Sequence, residues 1–298
     1  MNSKFESLIE RVEQVLKRLE AALPEIQSAP DWKKGLAFRW RKRGSAGFLQ
    51  PVVHLHKIRL TDLQGIDDQI RLIEQNTRQF MGGLTANNVL LTGARGTGKS
   101  SLVKALLNKF ASKGLRLIEV DKQDLMDLPD IVDLIAAVPF KFILFCDDLS
   151  FDADEPGYKA LKVILDGSIS APSENLLIYA TSNRRHLMPE FMQENLQTKY
   201  LGEEIHPGES VEEKISLSER FGLWVSFYPF DQDEYLTIVD YWLGELGVPA
   251  RDRGANARNE ALQWALTRGS RSGRVAWHFA RDWAGRHGIA SGSPYKRS

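Results

Sequence analysis

The chain has one cysteine, Cys146, so no intramolecular disulfide can hold it together. That residue ends the apolar run Phe142 to Cys146, where a buried and unreactive thiol is expected. Long apolar stretches are also missing. No run approaches the roughly 20 residues needed to cross a bilayer, and Met1 to Glu20 is too charged for a signal peptide, so a cytoplasmic protein without a membrane span is expected. Net charge is absent as well: 39 Lys and Arg balance 39 Asp and Glu. With no overall field to draw in nucleic acid or lipid, any such contact has to be local. Acidic residues are lacking in one stretch, Trp32 to Thr61. It carries Lys33, Lys34, Arg39, Arg41, Lys42, Arg43, Lys57 and Arg59, with Trp32, Phe38, Trp40 and Phe48 between them. Cations among aromatics suit phosphates and stacked bases. The same pattern also suits a segment folded on the body, aromatics inward and charges solvated.

What is present is a chain of 298 residues, 43% hydrophobic and 26% charged, ordinary for a globular protein of two or three compact units. Residues 1–50 read as an N-terminal segment: an amphipathic helix from Met1 to Ile26, with Phe5, Leu8, Val12, Val15, Leu19, Ala22 and Ile26 on one face, then the basic stretch. His54 and His56 alternate as on a strand, with no partner at metal-ligand spacing. Residues 51–229 alternate strand and helix signals. Helix Asp68 to Phe80 is followed by strands at Val89–Thr92, Leu115–Val120, Phe140–Cys146, Leu176–Thr181 and Leu223–Phe227, with helices at Ile131–Ala136 and Tyr158–Leu165 between them. This is the signature of an α/β fold, a parallel sheet covered by helices on both faces. After Pro229 the strands stop, and residues 230–298 read as a small helical unit with helices at Gln232–Leu246, Asn259–Arg268 and Gly273–Arg286, the first capped by Asp231.

The chain is organised around Gly93-Ala94-Arg95-Gly96-Thr97-Gly98-Lys99-Ser100, followed by Ser101. It matches the phosphate-binding loop G-x-x-x-x-G-K-[ST] in full, between a strand and a helix. Glycines let successive backbone N–H groups curl toward a phosphate, and the helix adds its unpaired N–H groups and dipole. Lys99 can reach the outer phosphates and the Ser100 hydroxyl can ligate Mg²⁺. A second constellation, Phe142-Ile143-Leu144-Phe145-Cys146-Asp147-Asp148, is an apolar strand ending in paired carboxylates, the shape of a Walker B motif. Its first carboxylate, Asp147, holds the metal through water, and the second, Asp148, positions the attacking water.

Further motifs carry a resemblance. Ile178-Tyr179-Ala180-Thr181-Ser182-Asn183 ends a third strand, Leu217-Ser218-Glu219-Arg220-Phe221-Gly222 precedes the last one, and Ser272-Gly273-Arg274 opens the last helix. In this order they resemble the ring-forming AAA+ ATPases from about Leu55 to Arg286. The wording NNVLLTGARGTGKSS, FCDDLSF, YATSNRRHL and LSERFGLWVSFYPFDQDEYL is more closely similar to a bacterial AAA+ family of undefined function, DUF815. The resemblance implies a three-layer αβα P-loop NTPase core with a helical lid. It implies ATP and Mg²⁺ as cofactors, with Leu63 and Ile66 among the nucleotide-binding positions. It also implies Asn183 as the sensor of the γ-phosphate, Arg220 as a finger reaching the adjacent protomer's nucleotide, and Arg274 as the lid's sensor. A homo-oligomeric ring, with a hexamer as one candidate, and an unidentified protein or nucleic-acid client follow from the same resemblance. In one respect the chain departs from the superfamily: Asp148 stands where Glu is usual, one methylene shorter, so hydrolysis is expected to be slow or to recruit Glu155. The readings carried forward are an ATPase that remodels a client, a nucleotide-gated scaffold with little hydrolysis, and a nucleic-acid loader using the basic segment.

Overall fold

A computed structural model of the chain describes residues 9, 11–15, 30–44, 46–151, 156–166, 174–183, 199–201, 204–206 and 219–289. Of the expected N-terminal helix, residues 9 and 11–15 are helical, and the rest lies outside the described residues. Glu155 lies outside them too.

Seven strands form the central sheet, in the order β2-β1-β4-β5-β6-β3-β9. These are β1 (Ala37–Arg43), β2 (Ala46–Pro51), β3 (Val89–Gly93), β4 (Leu115–Glu119), β5 (Lys141–Cys146), β6 (Leu176–Ser182) and β9 (Leu223–Phe227). All neighbours are parallel except β1 and β2. Two short strands, β7 (Lys199–Leu201) and β8 (Glu204–His206), pair apart from it. The central strands read as unbroken apolar runs because both faces are covered. On one face Val89, Leu91, Phe145 and Tyr179 pack with helices α1 (Asp67–Met81) and α2 (Lys99–Phe110). On the other Leu90, Leu144, Ile178 and Ala180 pack with α3 (Leu128–Ile135) and α4 (Pro156–Asp166). The period-2 geometry of a strand sends Leu90 to one layer and its neighbours Val89 and Leu91 to the other.

The basic stretch folds on the body, as one of its two readings has it, and does so as part of the sheet. β1 runs parallel to β4 and turns back as β2, so the expected boundary between residues 50 and 51 falls inside a strand of the core sheet. The aromatics do face inward: Phe38 and Trp40 are buried, and Trp32 packs edge-on against Phe38 and Phe142. The cations stay on the exposed side, as that reading has it, and three of them meet carboxylates there. Arg39 pairs with Glu119 at 2.6 Å, Arg41 with Asp121 at 2.8 Å and Lys42 with Asp127 at 2.7 Å. Those carboxylates come from the far end of β4 and the turn beyond it, a distance in sequence that local charge counting does not bridge. His54 and His56, read as a strand, lie in irregular backbone.

Beyond β9 come α5 (Gln232–Glu245), α6 (Ala255–Arg268) and α7 (Gly273–Arg286). Asp231 caps α5 as expected, in a capping box with Glu234. The aromatics of this unit pack on one another, Trp242 against Trp277 at 4.7 Å between ring centroids.

Candidate functional site

The carboxyl ends of β3, β5 and β6 lie side by side, and each delivers one group to the same place. After β3 the chain curls through Gly93, Gly96 and Gly98, with φ of 121°, 75° and 101°, values that a side chain disfavours. Space demands glycine as well. A Cβ on Gly93 would stand 1.9 Å from the Phe227 carbonyl oxygen of the neighbouring strand, and one on Gly96 would stand 2.8 Å from the Ser272 hydroxyl. The loop therefore fits between β9 and the start of α7 only with glycines there, and α2 begins directly beyond it at Lys99.

Lys99 is 6% exposed. Its ammonium donates to the carbonyls of Gly93 and Ala94, both at 2.7 Å, and to Asn183 Oδ1 at 3.2 Å. All three acceptors are neutral. Burial pushes the lysine's pKa down to about 8, with Arg95 and Arg274 adding to the fall and Asp147 and Asp148 opposing it. The first turn of α2 carries Ser100, whose hydroxyl donates to Asp147 Oδ1 at 2.6 Å. The buried Thr181 hydroxyl donates to the same oxygen at 2.6 Å and accepts from the Asp148 amide at 2.8 Å.

Asp148 has a φ of 53° and is the one non-glycine residue with a positive φ among those described. Such a backbone costs about 1 kcal/mol or more. It is held by two hydrogen bonds, its amide on Thr181 and its Oδ1 accepting from Asn183 Nδ2, with Arg95 3.9 Å from its Oδ2 as a loose exposed pair. The shorter acid expected from the sequence is therefore tied down on one carboxylate oxygen, Oδ1.

These groups open on a cleft of about 820 Å³ between the sheet and the helical unit. Arg95 to Ser101 line it, with Asp147, Asp148, Asn183, Arg274, Leu63 and Ile66. Gly93 and Ala94 lie beneath the loop and receive the lysine. Leu63 and Ile66 sit against the loop, because a Cβ on Gly98 would be 3.2 Å from Ile66 Cδ1 and 3.9 Å from Leu63 Cδ2. Arg220 is not brought to this cleft. Its Nε donates to Asp166 at the end of α4.

Sequence reading missed several contributors. Thr181 was legible only as strand end, although its place two residues before Asn183 sets both side chains on one face of β6. Asp62, Tyr241, Phe230, Trp242 and Trp277 come from segments far apart in the chain and carry no motif.

The residues fit a nucleoside triphosphate with Mg²⁺. The loop offers N–H groups and one ammonium without a carboxylate in direct contact, and Ser100 with Asp147 forms a hard-oxygen pair. Among the described residues no cluster of three or more His, Cys, Asp or Glu could hold a metal by itself. That agrees with Mg²⁺, which commonly takes one or two protein oxygens and fills its shell with phosphate and water. Among the described residues no helix is long and apolar enough to cross a membrane.

The family described as "Protein of unknown function (DUF815)" matches residues 33–287. No curated protein sequence matches the chain. Among solved structures, the Aeropyrum pernix ORC1 protein in complex with DNA is similar at 16% identity and a TM-score of 0.53, covering 76% of this chain. The chain spans 61% of that protein's length. Thermotoga maritima RuvB, in one of its point-mutant forms, is similar at 16% identity and a TM-score of 0.49, covering 78% of this chain and 67% of that one. Both are AAA+ ATPases, and at this identity the likeness with ORC1 speaks for the fold alone.

Proposed function

The chain belongs to the DUF815 family and has an AAA+ P-loop core, and from its site we propose that it is a magnesium-dependent ATPase. The observation that carries this reading is the convergence on Lys99. A buried ammonium is held only by neutral oxygens, beside a serine–aspartate pair, at the mouth of a glycine loop. In this reading Lys99 leaves its carbonyls to hold the outer phosphates. Bound Mg²⁺ supplies neutralisation of the developing phosphate charge. Ser100 and Asp147 hold the metal, Asp147 through water, and Thr181 keeps the Asp147 carboxylate aimed. Asp148 orients the attacking water, and Asn183, already bonded to both Lys99 and Asp148, links the phosphate end to the acid. Arg274 closes from the lid side. Arg220, turned to Asp166 in the single chain, acts on a neighbouring protomer's nucleotide in a homo-oligomer, where a finger contributes about 10³-fold or more in rate.

The test is steady-state phosphate release with and without Mg²⁺, for the parent and for Asp147→Asn. Asp147→Asn should bind ATP and lose Mg²⁺-dependent turnover. Equal turnover in parent and mutant moves the metal role elsewhere.

One observation favours a second reading, a nucleotide-gated scaffold with little hydrolysis. Asp148 is short, left-handed in backbone and hydrogen-bonded through Oδ1 to Asn183. Under that reading Asp148→Glu raises turnover several-fold, and under the first it changes little. The nucleic-acid loader is less favoured, since the β1 cations already face carboxylates.

A further inference from the structure

The cleft has a second charged cluster, built on Asp62. Asp62 lies on the cleft wall, just before Leu63, and its side chain is 0% exposed. A buried carboxylate needs full hydrogen bonding to persist as a charge, and this one has it. It accepts from the Arg59 amide at 2.6 Å, from Arg59 Nε at 3.0 Å and Nη2 at 2.8 Å, and from the Tyr241 hydroxyl at 2.6 Å. Arg59 Nη2 continues to Glu245 at 2.9 Å. Tyr241 and Glu245 both belong to α5, the first helix of the lid, so the Tyr241 hydroxyl on the buried Asp62 and the more exposed Arg59–Glu245 pair fasten the segment 59–62 to the lid.

The two ends of this assembly touch the phosphate loop at different glycines. Leu63 and Ile66, next along the chain from Asp62, press on Gly98. α5 packs on α7 through Trp242 and Trp277, and the start of α7 presses Ser272 and the Arg274 Cβ on Gly96, at 2.9 Å and 3.3 Å from where a Cβ would stand. We propose that Asp62 is a positioning residue which, through Arg59, Tyr241 and Glu245, joins the Leu63–Ile66 wall to the lid as one body. That body holds Arg274 against the phosphate loop, in place to meet a nucleotide in the cleft. Asp62 touches no reacting atom. It acts through Arg274, and the proposal rests on the ATP-binding reading of the site.

The experiment is an ATP titration followed by calorimetry, with the intrinsic tryptophan fluorescence, to which the cleft residues Trp242 and Trp277 contribute, and thermal melting recorded for each variant. The variants are Asp62→Asn, Tyr241→Phe, Arg274→Ala and the doubles Asp62→Asn/Arg274→Ala and Tyr241→Phe/Arg274→Ala. Asp62→Asn should weaken ATP by about tenfold, and Tyr241→Phe by less, with the same sign. In the Arg274→Ala background each should add almost nothing, because the group being positioned is already gone. A lower melting temperature with unchanged ATP affinity would make the cluster a purely structural bolt and overturn the proposal. So would effects that simply add to those of Arg274→Ala. If Asp62→Asn does not fold, Tyr241→Phe, which removes one bond and keeps the ring, decides alone. Absence of ATP binding by the parent chain is a distinct result, overturning the nucleotide reading and this proposal with it.

Discussion

Two regions of the molecule concentrate cations, and they treat them differently. On β1, Arg39, Arg41 and Lys42 each meet a carboxylate within 2.8 Å. The hydrogen bond that Lys42 donates to Asp127 raises the lysine's pKa, and the one that Arg39 donates to Glu119 raises that of Arg39. At the phosphate loop Lys99 meets two carbonyls and an amide oxygen, and burial lowers its pKa to about 8. The first set is satisfied, while the second retains unbalanced charge that an incoming anion can neutralise. Neutral acceptors alone do not mark a site, however. Arg116 is also buried and held by the carbonyls of Trp32, Ala111 and Leu115, but it lies outside the nucleotide cleft and serves to pin the segment before β1 to the sheet. A ligand site needs the under-compensated cation, an open cavity and inward N–H groups together.

The largest effect that could break this contrast is Lys99→Ala. Loss of two charge-assisted phosphate contacts should weaken ATP by about a hundredfold or more, while Lys42→Ala leaves affinity unchanged, both read by calorimetry. An equal loss in the two variants would remove the distinction between the regions.

The next effect is on pH. The ammonium that a phosphate needs is lost as pH rises through about 8, so affinity should fall by up to about tenfold per unit above that point. Binding should take up a proton there, seen as a dependence of the calorimetric heat on buffer ionisation. Stability moves in the opposite sense. An unfolded lysine keeps its proton to about 10.5, so between about 8 and 10.5 the unfolded chain binds more protons and the folded chain gains stability as pH rises. That gain is lost again as pH falls back through this window.

A smaller effect belongs to β1. Asp127 accepts from the Trp40 indole at 2.8 Å as well as pairing with Lys42. Asp127→Ala leaves a buried donor without a partner, so urea unfolding should show a loss of about 1 to 2 kcal/mol with no change in ATP affinity. Smallest of all, Arg41→Ala removes an exposed pair and should change stability by less than about 1 kcal/mol. Removing Arg39, Arg41 and Lys42 together should leave no salt-dependent nucleic-acid binding to lose. A clear salt slope in the parent that vanishes in the triple variant would make the basic segment a binding surface again.

The contrast also explains what the sequence made legible. The phosphate loop is local: Gly93 to Ser100 carries its chemistry in eight consecutive residues, and its strand and helix flank it directly. The apolar strands declared themselves because both faces are buried, and α7 begins and ends where its pattern and Ser272 cap place it. The basic stretch looked like a free surface because its partners, Glu119, Asp121 and Asp127, are 80 or more residues away. Asp62 and Tyr241 are 179 residues apart, and neither is unusual in composition. The left-handed backbone of Asp148 leaves no trace either, since it is imposed by Thr181 and the Leu149 amide on the Thr181 carbonyl at 2.6 Å, not by the residue's own preference.

Between the end of β9 at Phe227 and the cap of α5 at Asp231 stand only Tyr228, Pro229 and Phe230. Three residues reach about 10 Å when fully extended, proline stiffens one of them, and the Phe230 side chain is buried. So short a strap sets the mechanics of the helical unit: it can pivot about its attachment but not travel away from it. Any displacement of the unit is therefore a rotation about this strap, and it grows with distance from the strap along the helices.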